Sequence, residues 1–147
     1  MQYFEEVVVG EVRETASRTL TAEEIIKFAR AFDPQPFHID EAAARKSIYG
    51  GLIASGWHTA SIMMRLMVDN VVSQTAGTGS PGFDDLRWLK PVRPGDTIRV
   101  RSTCIDKTPS KSRPDIGSCR YRTEVLNQHD EIVMTLISIG LVRRRPA

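Results

Sequence analysis

The sequence predicts a single α+β domain in which one long buried helix is wrapped by an antiparallel sheet. Three observations predict it. TLTAEEIIKFARAF carries a complete helix-start signal followed by one apolar face. Residues 57–72 are apolar almost all round, the pattern of a buried helix. The second half then gives three segments that alternate or run apolar between turns, the pattern of strands. At 147 residues the chain is one domain, 1–147. A chain of that size buries roughly 68–70% of its unfolded surface, enough for a core without staples.

Taken in order, the first helix opens at Thr21, with Glu24 three residues on to complete a capping box. Ile25, Phe28, Ala29 and Phe32 form its apolar face, and Pro34 ends it near Asp33. DPQPFHID holds two prolines and is expected to be stiff and non-helical. Asp40–Ser47 reads as a short helical stretch. Glycines 50, 51 and 56 punctuate a turn, and the buried helix follows, carrying Met63, Met64 and Met67. SQTAGTGSPG is a loop. A strand is expected from Phe83 to Lys90, then the turn PVRPGD. IRVRSTCI alternates Ile98, Val100, Ser102 and Cys104 against Arg99, Arg101 and Thr103. CRYRTEVL alternates Cys119, Tyr121, Thr123 and Val125 against Arg120, Arg122 and Glu124. IVMTLISIGLV is apolar enough to be an interior strand. Arg143, Arg144 and Arg145 form a terminal cluster expected to fray.

Composition excludes several classes. Hydrophobic residues make up 41% and charged residues 26%, which rules out a disordered chain. Two cysteines do not make a disulfide framework; in a reducing compartment they are two small core residues. The N-terminus is acidic and lacks the apolar core of a signal peptide. No run reaches the roughly 18 apolar residues of a membrane span, so a cytoplasmic protein is expected. The net charge is +2, yet residues 1–73 carry 7 basic and 10 acidic side chains and residues 74–147 carry 13 and 8. The basic half suits an anionic ligand but falls short of a nucleic-acid footprint.

Chemistry concentrates in AFDPQPFHID and GGLIASGWHT. Asp33 and His38 are five residues apart across two prolines, a spacing that can aim a carboxylate and an imidazole at one spot for general acid/base work. The same residues also fit a plain structural reading, with Asp33 ending a helix and His38 a buried, hydrogen-bonded side chain. Gly56 opens the buried helix. Free N–H groups there suit an oxyanion or a polarised carbonyl, although a glycine also serves merely to turn the chain.

Together these segments resemble the MaoC-like dehydratases, or (R)-specific enoyl-CoA hydratases, of the hot-dog fold. The resemblance rests on Asp33-Pro34-Gln35-Pro36-Phe37-His38 followed by Asp40, on Gly56 in IASGWHT, on Lys90-Pro91-Val92-Arg93-Pro94-Gly95-Asp96, and on the opening FEEVVVGE. It implies a homodimer, or a higher oligomer of dimers, that hydrates a trans-2-enoyl-CoA to the (R)-3-hydroxyacyl-CoA. Asp33 and His38 would bind and activate the water, and the Gly56 N–H would polarise the thioester carbonyl. No metal or cofactor is implied, since CoA is part of the substrate. The chain departs from the family at Gln35, where Asn is usual, at Ser55, where His is common, and at the bulky Trp57 and His58. These four residues are candidate substrate contacts. Arg87, Lys90 and Arg93 are candidates for the phosphates of CoA.

Two further readings stand beside this one. The protein could bind acyl thioesters without turnover. It could also be a hot-dog thioesterase, with Asp69 the one acid on the helix; Asp69 lies thirteen residues from Gly56, roughly 20 Å along a helix. His58 also fits a packing role with one hydrogen bond. A metal site from His38, Asp40 and His58 matches no zinc spacing.

Overall fold

The computed structural model describes residues 1–147. A tight turn at Phe4–Glu6 precedes two short strands, β1 (Val12–Glu14) and β2 (Arg18–Thr19). Four helices follow: α1 (Ala22–Phe32), α2 (Pro36–Ile39), α3 (Glu41–Arg45) and α4 (Gly56–Asn70). The remaining strands are β3 (Gly77–Gly79), β4 (Phe83–Trp88), β5 (Thr97–Pro109), β6 (Ile116–Leu126) and β7 (Ile132–Arg143). They form one seven-stranded sheet in the order β1-β5-β6-β7-β3, with β2 also on β5 and β4 also on β7. Every pairing is antiparallel.

The alternation expected of the strands is present. Ile98, Val100, Ser102 and Cys104 point inward from β5, as do Cys119, Thr123 and Val125 from β6. β7 has β6 on one side and β3 and β4 on the other, so it is an interior strand as expected. The main core joins the inner faces of β5, β6 and β7 to Ile62, Met63 and Leu66 of α4 and to Ile25 of α1. Cys104 and Cys119, both free thiols, sit in a second cluster with Phe4, Val7 and Val142.

Five expectations need correction. SQTAGTGSPG is not all loop: Gly77–Gly79 within it forms β3 and pairs with the end of β7. DPQPFHID is not wholly extended: Pro36 starts α2 at its first position, where the missing N–H costs nothing and the fixed φ suits a helix. The strand expected over 83–90 stops at Trp88 and bends at a bulge, where Asp85 takes φ +53°. Helix α4 is not buried all round. The sheet and α1 cover one side only, so His58, Thr59, Ile62, Met63 and Leu66 are buried while Trp57 and Met64 stay 58% and 41% exposed. The terminal arginines do not fray. Arg144 pairs with Glu5 at 2.8 Å, and Arg145 pairs with Glu6 and lies over the Tyr3 ring.

Candidate active site

Three local devices bring the candidate residues together. Helix α1 ends by handing the Asp33 N–H to the Ala29 carbonyl (2.8 Å), which leaves the Asp33 side chain at the helix terminus. Helix α2 then lifts His38 inward. Its imidazole is buried, and Phe37 meets it edge-on at 4.6 Å. The loop from Leu52 to Ser55 is held on both sides, with the Ile53 N–H on the Phe37 carbonyl (3.2 Å) and the Ala54 N–H on that of Val92 (2.8 Å). That loop presents Ser55 and Gly56 to the same place.

The pair itself is tightly specified. His38 Nδ1 lies 2.8 Å from the Ile53 carbonyl oxygen. A carbonyl only accepts, so Nδ1 carries the hydrogen and Nε2 is turned to Asp33. The Nε2 to Asp33 Oδ2 distance is 3.3 Å. The Ser55 hydroxyl donates to Oδ2 at 2.7 Å, and the Gln35 amide donates to Oδ1 at 2.7 Å. Burial alone would raise the Asp33 pKa; the hydrogen bonds from Ser55 and Gln35, with His38 nearby, outweigh it and hold the carboxyl below its ordinary value. The carboxylate is therefore ionised and oriented at neutral pH.

Gly56 completes the site. Ser55 caps α4, its hydroxyl oxygen accepting from the Trp57 N–H at 3.3 Å. The Gly56 N–H makes no hydrogen bond within the chain. It opens a fifteen-residue helix, whose dipole adds partial positive charge there. Asp33, His38 and Gly56 line one cavity of about 510 Å³. Ionised acceptor, imidazole and free donor thus converge on one space, as acid/base chemistry beside a polarised carbonyl requires.

The other candidates divide. Gln35, Trp57 and Lys90 line the cavity, with Lys90 also paired to Glu131. Ser55 is fully buried and does not line the cavity; it meets the site through its hydrogen bond to Asp33. His58 is turned away, stacked on Phe28 of α1 at 4.7 Å, and its buried Nδ1 has no partner, so even the single hydrogen bond of a packing role is missing at that atom. Arg87 and Arg93 do not line the cavity: Arg87 binds the Leu86 carbonyl, and Arg93 holds the Tyr49 carbonyl at 2.7 Å. The Asp40 carboxylate caps α3 through the Ala42 and Ala43 N–H groups. Asp69 lies outside the cavity, paired with Arg65 at 2.7 Å. Met63 belongs to the core and Met67 packs against it, and with Met64 both also line a second cavity of about 330 Å³ between α4 and the sheet. Trp88 and Tyr49 of the first cavity escape sequence reasoning, because only the tertiary fold brings them there.

Residues 4–125 match the family model described as MaoC like domain. The chain belongs to the MaoC-like domain family. A MaoC-like dehydratase structure from Rhodospirillum rubrum superposes with a TM-score of 0.94 at 44% identity, over 100% of both chains. The Klebsiella aerogenes "Protein MaoC" is 39% identical over 113 residues, 76% of this chain. The chain spans 33% of that protein's length. A protein named (R)-specific enoyl-CoA hydratase, also from Rhodospirillum rubrum, is 28% identical over 76% of this chain and 75% of its own length. The architecture of this MaoC-like domain, a central helix against an antiparallel sheet, is the hot dog.

Proposed function

We propose that the protein hydrates a trans-2-enoyl-CoA, reversibly, to the (R)-3-hydroxyacyl-CoA. The observation that carries this reading is the shared cavity of Asp33, His38 and the unpaired Gly56 N–H. Water held between the Asp33 carboxylate and His38 Nε2 gives up one proton to the pair as its oxygen bonds to C3. The C2=C3 electrons move toward the thioester, whose carbonyl oxygen accepts from the Gly56 N–H as negative charge develops. The pair returns one proton to C2, so water is added and nothing is oxidised. The step draws only on groups of this chain. Names of relatives such as "3-hydroxybutyryl-CoA dehydratase" and "Mesaconyl-CoA hydratase" support the reaction class. The exposed apolar residues of α4, Trp57, Met64 and Val68, support a homodimer that covers them.

The test follows loss of the conjugated thioester absorbance with crotonyl-CoA and longer enoyl-CoAs. Hydration is expected in the wild type. Asp33→Asn and His38→Ala should each lower kcat by about 10²-fold or more, the usual scale of general acid/base catalysis. In D2O the product should carry deuterium at C2. Hydration that survives both substitutions would overturn the assignment. Tight acyl-CoA binding without any exchange at C2 would instead mark a binding protein.

A further inference from the structure

Gly56 has a neighbour that the reaction scheme does not use. The Trp88 indole lies so close that a β-carbon on residue 56 would sit under 3.0 Å from its Cε2, Nε1 and Cδ2 atoms. The Trp88 Nε1–H also donates to the Gly56 carbonyl at 3.0 Å. That carbonyl is the acceptor of the first turn of α4, and it has two lone pairs for two donors. Trp88 is itself fixed, being the last residue of β4 opposite Met134 of β7. The next residue continues the attachment, with the Leu89 N–H on the Val133 carbonyl at 2.8 Å. Trp57 meets the same indole edge-on at 5.2 Å. The first turn of the helix is thereby joined to the sheet through one side chain.

We infer that Trp88 is a positioning residue for the Gly56 N–H. The inference rests on the proposed hydration, in which that N–H polarises the thioester. The indole acts in two ways. Its ring fills the space beside Cα of residue 56, so residue 56 has to be glycine for the contact to exist. Its N–H fixes the Gly56 carbonyl, and with it the orientation of the turn whose free donor faces the cavity. Gly56 is therefore required for more than a bend in the chain. Alanine would keep the N–H, so whatever Gly56→Ala loses comes from collision with Trp88 and displacement of the turn.

Four variants separate these effects: Trp88→Phe, Trp88→Ala, Gly56→Ala and the double Gly56→Ala/Trp88→Ala. Each is assayed for crotonyl-CoA hydration. Each is also combined with Asp33→Asn and titrated with 2,4-hexadienoyl-CoA, whose absorbance moves to the red when its thioester carbonyl is polarised. Trp88→Phe keeps a ring and loses the N–H. It should lower kcat roughly fivefold, the scale of one net hydrogen bond, with KM changed less than threefold and the red shift reduced. Trp88→Ala should lower kcat by about 10²-fold, the scale of a lost oxyanion donor, and nearly abolish the red shift while the dienoyl-CoA still binds. The double variant should exceed Gly56→Ala in kcat, because the β-carbon then has room. An unchanged red shift in Trp88→Phe and Trp88→Ala, with wild-type hydration intact, would overturn this inference alone. Multiplicative losses in the double variant would do the same. Absence of both hydration and red shift in otherwise unaltered protein would overturn the proposed function and this inference with it.

Discussion

Ser55→Ala should weaken the protein in a pH-dependent way, because one hydroxyl serves two partners. Its hydrogen goes to Asp33 Oδ2 at 2.7 Å, and its oxygen accepts from the Trp57 N–H at 3.3 Å. A hydrogen bond to a charged group contributes about 1.5–3 kcal/mol, and a helix N-cap about 0.5–2 kcal/mol. The two overlap in one side chain, so a loss of about 2–4 kcal/mol at pH 7 is expected. For a domain of this size that lowers Tm by roughly 4–16 °C. The folded-state pKa of Asp33 is depressed, so its contribution is present above the unfolded carboxyl value and lost as pH falls through the folded one. Ser55 provides part of that depression. The stability gap between wild type and Ser55→Ala should therefore be widest near neutrality and shrink toward the capping share in strong acid. Urea unfolding of both proteins across pH 3–8 measures this. The acid limb of kcat/KM, which reports ionised Asp33 under the proposed function, should move to higher pH in the variant. Ser55→Thr, which keeps a hydroxyl, should restore most of both effects. A gap that stays constant with pH, together with an unmoved acid limb, would refute the reasoning and reduce Ser55 to a helix cap.

Three further predictions concern groups away from the reacting pair. Burial lowers the His58 pKa, with Glu24 raising it and Arg18 lowering it more weakly, so stability is lost as pH falls below the ordinary histidine value. His58→Phe keeps the stack on Phe28 and removes the unpartnered Nδ1; it should gain about 1–3 kcal/mol, more at pH 5 than at pH 7, and an equal gain at both would count against it. Burial also raises the thiols of Cys104 and Cys119, so a thiol reagent should count two only after denaturation, and fast reaction of the native protein would contradict the packing. Met64→Glu with Val68→Glu should convert the proposed homodimer to monomer in light scattering while leaving the far-ultraviolet spectrum intact; an unchanged mass would place the interface elsewhere.

Much of this molecule is legible in the sequence because local chemistry decides it. The capping box at Thr21 and Glu24 forms as read, with the Glu24 N–H on the Thr21 hydroxyl at 3.2 Å and the Thr21 N–H on the Glu24 carboxylate at 3.2 Å. Alternation in β5 and β6 gives their inner faces directly, since the side-chain period of a strand is two. Helix α4 shows where this stops. Its all-round apolar pattern is real, but a pattern does not say whether the cover belongs to the same chain, and here the sheet and α1 cover one side. His58 shows a second limit: its type suggests chemistry, while its direction depends on which helix packs against α4. Trp88 shows a third. No local signal announces that a residue 32 positions from Gly56 donates to the Gly56 carbonyl.

The departures from the family pattern gain a common meaning in the structure. Gln35 and Ser55 are two of the positions where the resemblance implies a departure, and each donates to one oxygen of the same carboxylate. Asp33 accepts one strong hydrogen bond per oxygen and still presents Oδ2 to His38 Nε2 at 3.3 Å. Either donor alone would let the carboxylate rotate about its terminal torsion, which is broad; two donors on opposite oxygens fix it. The two substitutions should therefore be coupled. The double variant should lose less kcat than the product of the losses in Gln35→Ala and Ser55→Ala, because the first removal already frees the rotation and the second has little left to release. A double-mutant cycle on kcat at neutral pH measures that coupling. Strict multiplicativity would mean that the two donors act independently, and that Gln35 and Ser55 are separate adjustments rather than one clamp on Asp33.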